Sequence, residues 1–247
     1  MPELSAAAML DLWQAAEARD RIARPLVLAA AADGGETTAD ALARLPLGRR
    51  DARVLSLHAA LGGGALEATA SCPSCGEHAE FAIDAEGLDR GPDATPEAPV
   101  EVDGFVVAWR SPDSRDLAAA AGAGDAAAAE RVLLARCVTA ATAPGGAGAD
   151  AAALPRAVRE TLARAMAAAD PLAEVLVDVS CPGCGSAFVA DVDIGEFVWT
   201  ELRAHARRLL REVDVLARTY GWTEPDVLAL DERRRAAYLE LAAEARA

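Results

Sequence analysis

Lysine is absent from this 247-residue chain: all 24 basic residues are arginine, set against 39 aspartates and glutamates for a formal net charge of −15. A surface with that balance repels a phosphate backbone everywhere except at a local patch, so no nucleic-acid partner is expected. The arginine-only usage and the abundance of alanine read as the mark of a GC-rich coding sequence and carry no functional weight. Histidine is scarce, with three residues at positions 58, 78 and 205. His58 and His205 fall in helical runs, where a packed or solvated ring is the default. With no glycine-rich phosphate loop, no Ser-His-Asp arrangement and no donor set suited to activating water, the chain reads as a non-enzyme without a small-molecule substrate. No apolar run approaches the length of a membrane span. No secretory signal segment opens the sequence either, and a reducing, cytoplasmic setting is expected.

Cysteine is the informative scarcity. Four of the five cysteines form two knuckles, Cys72-Pro73-Ser74-Cys75-Gly76 and Cys181-Pro182-Gly183-Cys184-Gly185. Two thiolates in Cys-x-x-Cys hold one metal ion while the following glycine relieves the tight turn, and two such pairs complete a tetrahedral four-sulfur shell. Alternating apolar and polar residues flank each knuckle: Ala65–Ala70 and Ala79–Asp84 around the first, Glu174–Val179 and Ala187–Val192 around the second. Each knuckle is therefore expected at the tip of a short β-hairpin, the two tips meeting around one structural zinc on Cys72, Cys75, Cys181 and Cys184 as a zinc ribbon.

Other readings of the same thiols stay open at this point. A thioredoxin-like redox pair needs a helix after the motif, and neither knuckle has a helical pattern behind it. Two disulfides would leave Cys137 unpaired and suit an oxidising compartment. A catalytic zinc keeps an open position, whereas four thiolates close the shell. His78, three residues after Cys75, is a possible substitute ligand, although a solvated surface histidine explains it as well. Cys137 lies in the apolar helical run from Arg131 to Val138 and reads as a small buried core residue.

The expected architecture is α+β, with helical N- and C-terminal segments around a split four-cysteine zinc ribbon that carries an inserted α+β lobe. Residues 1–64 form the N-terminal helical segment. Its helices break at Asp33-Gly34-Gly35, restart at Thr38 or Asp40, and restart again at Pro46. The Arg49-Arg50-Asp51 cluster is expected to be a solvated helix start, with an interface as the alternative. The first half of the ribbon occupies 65–90. The lobe, 91–173, begins with an acidic, proline-rich linker at 91–99 and a hairpin at Asp103-Gly104, followed by alanine-rich helices broken by a loop at 143–148. The second half of the ribbon occupies 174–193, and a C-terminal helical segment fills 194–247. Within it, Phe197, Val198, Leu202, Leu209, Leu210, Val213, Leu216 and Tyr220 recur at helical spacing from Ile194 to Tyr220, a helix of about seven turns. Gly221 stops it and Thr223 caps the next helix.

The strings Phe197-x-Trp199-x-Glu201-Leu202, Leu209-Leu210-x-Glu212-Val213, Tyr220-Gly221-Trp222-x-Glu224 and Arg234-Arg235-x-x-Tyr238-Leu239 resemble the C-terminus of phage-tail-like baseplate proteins. That family occurs in contractile tails and contractile injection systems and is related to T4-type bacteriophage baseplate hub or tail-assembly proteins. The two knuckles, Pro46-Leu47-Gly48-x-Arg50-Asp51 and Arg110-x-Pro112-x-x-x-Asp116-Leu117, extend the resemblance over nearly the whole chain. It implies a non-enzymatic structural or assembly protein of a contractile baseplate whose partners are other baseplate, hub or spike proteins. The competing class is a zinc-ribbon regulator of the transcription or translation machinery. Aromatic and arginine side chains dominate interface hot spots. The candidate partner surface is accordingly Trp199, Glu201, Tyr220, Trp222, Arg233, Arg234, Arg235 and Tyr238, with packing of the same rings onto the fold as the competing explanation.

Overall fold

A computed structural model describes residues 4–90 and 98–244. The proline-rich linker expected at 91–99 falls outside the described residues from 91 to 97.

The N-terminal body contains α1 (Ala6–Glu17), α2 (Arg24–Ala32), α3 (Ala39–Ala43) and α4 (Leu47–Ala60). Each start has a local cause. Ser5 and Thr38 accept the amides of Ala8 and Ala41, and Pro25 sits in the first turn of α2, where its missing N–H costs nothing. These helices bury Leu28, Leu42, Val54 and Leu57 against Ile194, Val198, Trp199 and Leu202 of the long helix α8 (Ile194–Tyr220). Each such side chain contributes about 1.5–3 kcal/mol of burial. Asp193 caps α8 by accepting the Glu196 amide, and Gly221, at φ 72°, ends it in the left-handed conformation.

Two antiparallel hairpins stand on this body. The first pairs β1 (Leu66–Ser71) with β2 (His78–Ile83), and the second pairs β6 (Val175–Ser180) with β7 (Ala187–Val192). Their feet, Leu66, Val175 and Val192, belong to the main core. Higher up they meet through a small cluster of their own, in which Ala79, Val179 and Ala190 are buried beside Phe81 and Phe188.

Between the hairpins lies a lobe with a separate core. Its sheet has the order β3 (Val100–Val102), β4 (Phe105–Trp109), β5 (Val138–Thr142), all antiparallel. Asp103 and Gly104 turn β3 into β4 with φ values of 51° and 76°, the paired left-handed residues that a two-residue hairpin of this twist requires. The helices α5 (Ser114–Ala121), α6 (Ala126–Cys137) and α7 (Arg156–Ala169) complete the lobe. Val107, Leu134, Leu154, Val158 and Leu162 are its buried centre.

A polar seam joins lobe to body at the start of α4. The Leu47 amide donates to Pro112 O at 3.2 Å, and the Gly48 amide to Asp170 Oδ2 at 2.9 Å. Arg50 donates to Ser114 Oγ at 3.2 Å and grips Asp51 with two bonds of 2.8 and 2.9 Å. Arg50 and Asp51 are each only 6% exposed, which corrects the expected solvated helix start. The lobe covers the first turn of α4, and a guanidinium buried there needs a carboxylate beside it. Burial pushes the Asp51 carboxyl up, more than Arg50 draws it down.

Gly48 is required by this close approach. A Cβ at that position would lie 2.3 Å from Asp170 Oδ1 and 2.9 Å from the Ala173 amide nitrogen. Gly48→Ala is expected to destabilise the protein by about 1–3 kcal/mol. Urea denaturation would register this as a lower midpoint at unchanged slope.

The chain closes with α9 (Glu224–Leu228) and α10 (Glu232–Glu244). Thr223 and Asp226 form a reciprocal capping box on α9. Val213, Leu216 and Val227 bury the contact with the end of α8. Among the described residues no helix is long and apolar enough to cross a membrane.

Candidate metal centre

The two knuckles adopt the same local structure. In the first, the Cys72 amide donates to Glu77 O at 2.8 Å and the Gly76 amide to Cys72 O at 2.9 Å; in the second, the Cys181 amide donates to Ser186 O at 2.9 Å and the Gly185 amide to Cys181 O at 3.0 Å. Gly76 and Gly185 hold φ values of 79° and 73°, which let the chain reverse beneath the sulfurs without a Cβ clash. Each knuckle thus joins the ends of an unbroken ladder, Ser71 opposite His78 and Ser180 opposite Ala187.

Packing of the hairpins against each other brings the tips together. The four sulfurs of Cys72, Cys75, Cys181 and Cys184 all lie within 4.8 Å of one another. Cys72 and Cys184 approach to 3.8 Å across the pair, and Cys75 and Cys181 to 3.6 Å. All four are free thiols. For bonds of 2.3 Å to zinc, a tetrahedral sulfur shell has edges of about 3.8 Å, so the donor set and its spacing fit such an ion. Cys72 and Cys181 are buried while Cys75 and Cys184 face outward, an arrangement with one closed and one accessible side.

Four thiols this close cannot all ionise without a cation. Hydrogen bonds with the Ser186 hydroxyl and amide bring the Cys184 thiol down to about 6. The Glu77 amide draws the Cys75 thiol down, but sharing with Cys184 and Cys181 outweighs it and pushes that thiol up to about 12. A divalent cation removes the conflict by stabilising every thiolate at once.

His78 is exposed beside Ser71, its Nδ1 3.3 Å from the hydroxyl, and stands outside the sulfur cluster. Cys137 is also outside it. It is 1% exposed at the base of the lobe, with its thiol 3.7 Å from Asp116 Oδ2. Burial, then the neighbouring Asp116 charge, pushes the Cys137 thiol up to about 12.

The residues assigned to a partner surface divide in two. Trp199 is buried in the main core with the Arg24 guanidinium 4.5 Å above its ring. Glu201 lies 2.6 Å from Nδ1 of the buried His58, whose Nε2 faces Gly64 O. Arg235 is 6% exposed and donates to Glu212 Oε2 at 2.6 Å and Leu230 O at 2.9 Å. These three hold the fold together. Tyr220 stacks on Trp222 at 4.9 Å, and Tyr238 meets both rings edge-on, at 5.8 and 4.8 Å. That aromatic cluster is partly exposed, with Arg233 and Arg234 at the surface nearby on α10. Arg235→Ala is expected to cost about 2 kcal/mol, since it strips a charged hydrogen bond from Glu212, whereas Arg233→Ala stays within about 0.5 kcal/mol. Parallel thermal melts of the two variants check the contrast.

Sequence reasoning missed the polar seam as a unit. Its members come from Leu47–Asp51, Pro112–Ser114 and Asp170, and no spacing rule links them. Comparison with known proteins finds no matching family model, no matching curated protein and no matching solved structure.

Proposed function

We propose that this chain is a non-enzymatic structural or assembly protein of a contractile, phage-tail-like baseplate, held in shape by one zinc ion in a split ribbon formed by Cys72, Cys75, Cys181 and Cys184. The observation that supports this reading is the placement of the residues on which the resemblance rests. Pro46–Asp51 and Arg110–Leu117, far apart in sequence, meet in one buried seam, and the two knuckles meet in one sulfur cluster. The segments that carry the knuckle and seam part of the resemblance are joints of this fold. A part built into a large particle needs a fixed shape and exposed anchors, and Tyr220, Trp222, Tyr238, Arg233 and Arg234 supply the anchors.

The test is recovery of a tagged full-length chain from cells that express its whole gene neighbourhood, with zinc quantified in the same eluate. The expected result is co-recovery of baseplate, hub or spike proteins with one zinc per chain, and loss of particles on deletion. Recovery of polymerase, ribosome or nucleic acid in their place would overturn the baseplate reading in favour of the zinc-ribbon regulator. Reversing the charge of Arg233 and Arg234 tests the anchors: unchanged particle yield would remove them from the interface.

A further inference from the structure

The open side of the two hairpins and the first half of α8 enclose a cleft of about 570 Å³. Four consecutive residues of β1, from Glu67 to Ala70, border it. Successive side chains leave opposite faces of a strand, so a space that touches four in a row runs along the strand's edge. That edge is unpaired among the described residues, since β1 bonds only to β2. A row of free amides and carbonyls is a template for one more strand.

The rest of the cleft specifies what that strand carries. Phe81, Val192 and Phe197 provide an apolar floor. Glu67 and Asp191 stand exposed at its border and form no ion pair among the described residues. The remaining carboxylates already have partners: Asp193 pairs with Arg21, Glu196 with Arg24, and Glu201 lies 2.6 Å from His58 Nδ1. Among the described residues no arginine or histidine lines the cleft, and Arg21 stands nearby, paired with Asp193.

We propose that this cleft receives an extended segment of a partner protein, with apolar residues alternating with arginine or lysine, added antiparallel or parallel to β1 as a third strand. Alternation sends one set of side chains to the phenylalanine floor and the other to Glu67 and Asp191. A second copy of the chain is a poor occupant, because β1, Leu-Glu-Ala-Thr-Ala-Ser, brings no arginine or lysine to meet Glu67 and Asp191. The inference goes beyond the baseplate reading and stands without it, since it defines the partner by chemistry alone.

The test uses the reduced, full-length protein and two fluorescent hexapeptides, one alternating valine with arginine and the other valine with glutamate. The arginine peptide is expected to bind with an affinity that falls as salt rises, and to slow hydrogen exchange of the β1 amides. The double variant Glu67→Arg, Asp191→Arg is expected to weaken binding by about tenfold, with melting temperature and metal content unchanged. Equal binding of the two peptides, binding without protection of β1, dimerisation through β1, or no binding at about 1 mM peptide would each overturn the proposal. A double variant that misfolds is replaced by Glu67→Gln, for which a weaker loss in the same direction is expected.

Discussion

Cys181→Ser is expected to cost more stability than any other single change considered for this protein. Each hairpin has only two strands, and an isolated two-stranded hairpin is marginal in water. The apolar cluster between them is small, with three buried residues, two of them alanines. Most of what holds the tips together therefore falls to the proposed zinc, and structural zinc binding contributes on the order of 10 kcal/mol at neutral pH. Cys75 and Cys181 are 106 positions apart, so the ion also closes a long loop, a constraint of roughly 4–5 kcal/mol on the unfolded chain in the entropy model. Loss of one ligand should lower the melting temperature by on the order of 10 °C, at about 2–4 °C per kcal/mol for a chain of this size. Hydrogen exchange should quicken first in 66–83 and 175–192 while α8 stays protected. Chelation of the wild-type protein should reproduce the effect, and added zinc should reverse it.

Asp116→Asn is the second large effect, because Asp116 gathers the charges at the base of the lobe. Its side chain is fully buried, and it accepts from Arg110 at 2.6 and 3.0 Å, from Arg136 at 2.6 Å and from the Asp113 amide at 3.0 Å. Burial raises the Asp116 carboxyl, but the bonds from Arg110, Asp113 and Arg136 outweigh it and hold the group well below the usual carboxylate range. Removing the charge leaves two arginines facing a neutral amide. Both arginines are more than a third exposed and can rehydrate, which brings the expected cost down to about 3 kcal/mol. The pH dependence has a definite sign. A carboxylate whose folded pKa is depressed stabilises fully above its unfolded value near 3.9 and loses that contribution as pH falls through and below it. The stability gap between wild type and Asp116→Asn should therefore be constant above about pH 5 and narrow on acidification below about pH 4. A gap that is flat through that range would show that the asparagine loses shape rather than charge.

The parts legible in the sequence are those with a local signature. The period of α8 and its stop at Gly221 marked a helix from Ile194 to Tyr220, and the structure has those ends. Asp103-Gly104 marked a hairpin turn because two left-handed residues in succession admit few other types. The knuckles were legible as thiol pairs, and two like spacings implied one four-sulfur cluster. Strand β5 was not legible: Val-Thr-Ala-Ala-Thr follows directly on α6 without a turn signal, and its identity comes from pairing with β4. The buried Arg50–Asp51 pair was not legible either. An arginine next to an aspartate at a helix start is usually solvated, and only the docking of the lobe, through Ser114 and Pro112, takes it out of water. Trp199 and Arg235 carried the composition of an interface, yet burial of the Trp199 ring and pairing of Arg235 with Glu212 depend on distant helices.

The most direct measurement on the central claim is the native mass of the full-length chain, purified under reducing conditions without added metal and compared with its mass after acid denaturation. The expected difference is one zinc ion per chain, lost in acid together with the protection of Cys72, Cys75, Cys181 and Cys184 from alkylation. A metal-free chain with those four thiols freely alkylated in the native state would contradict it.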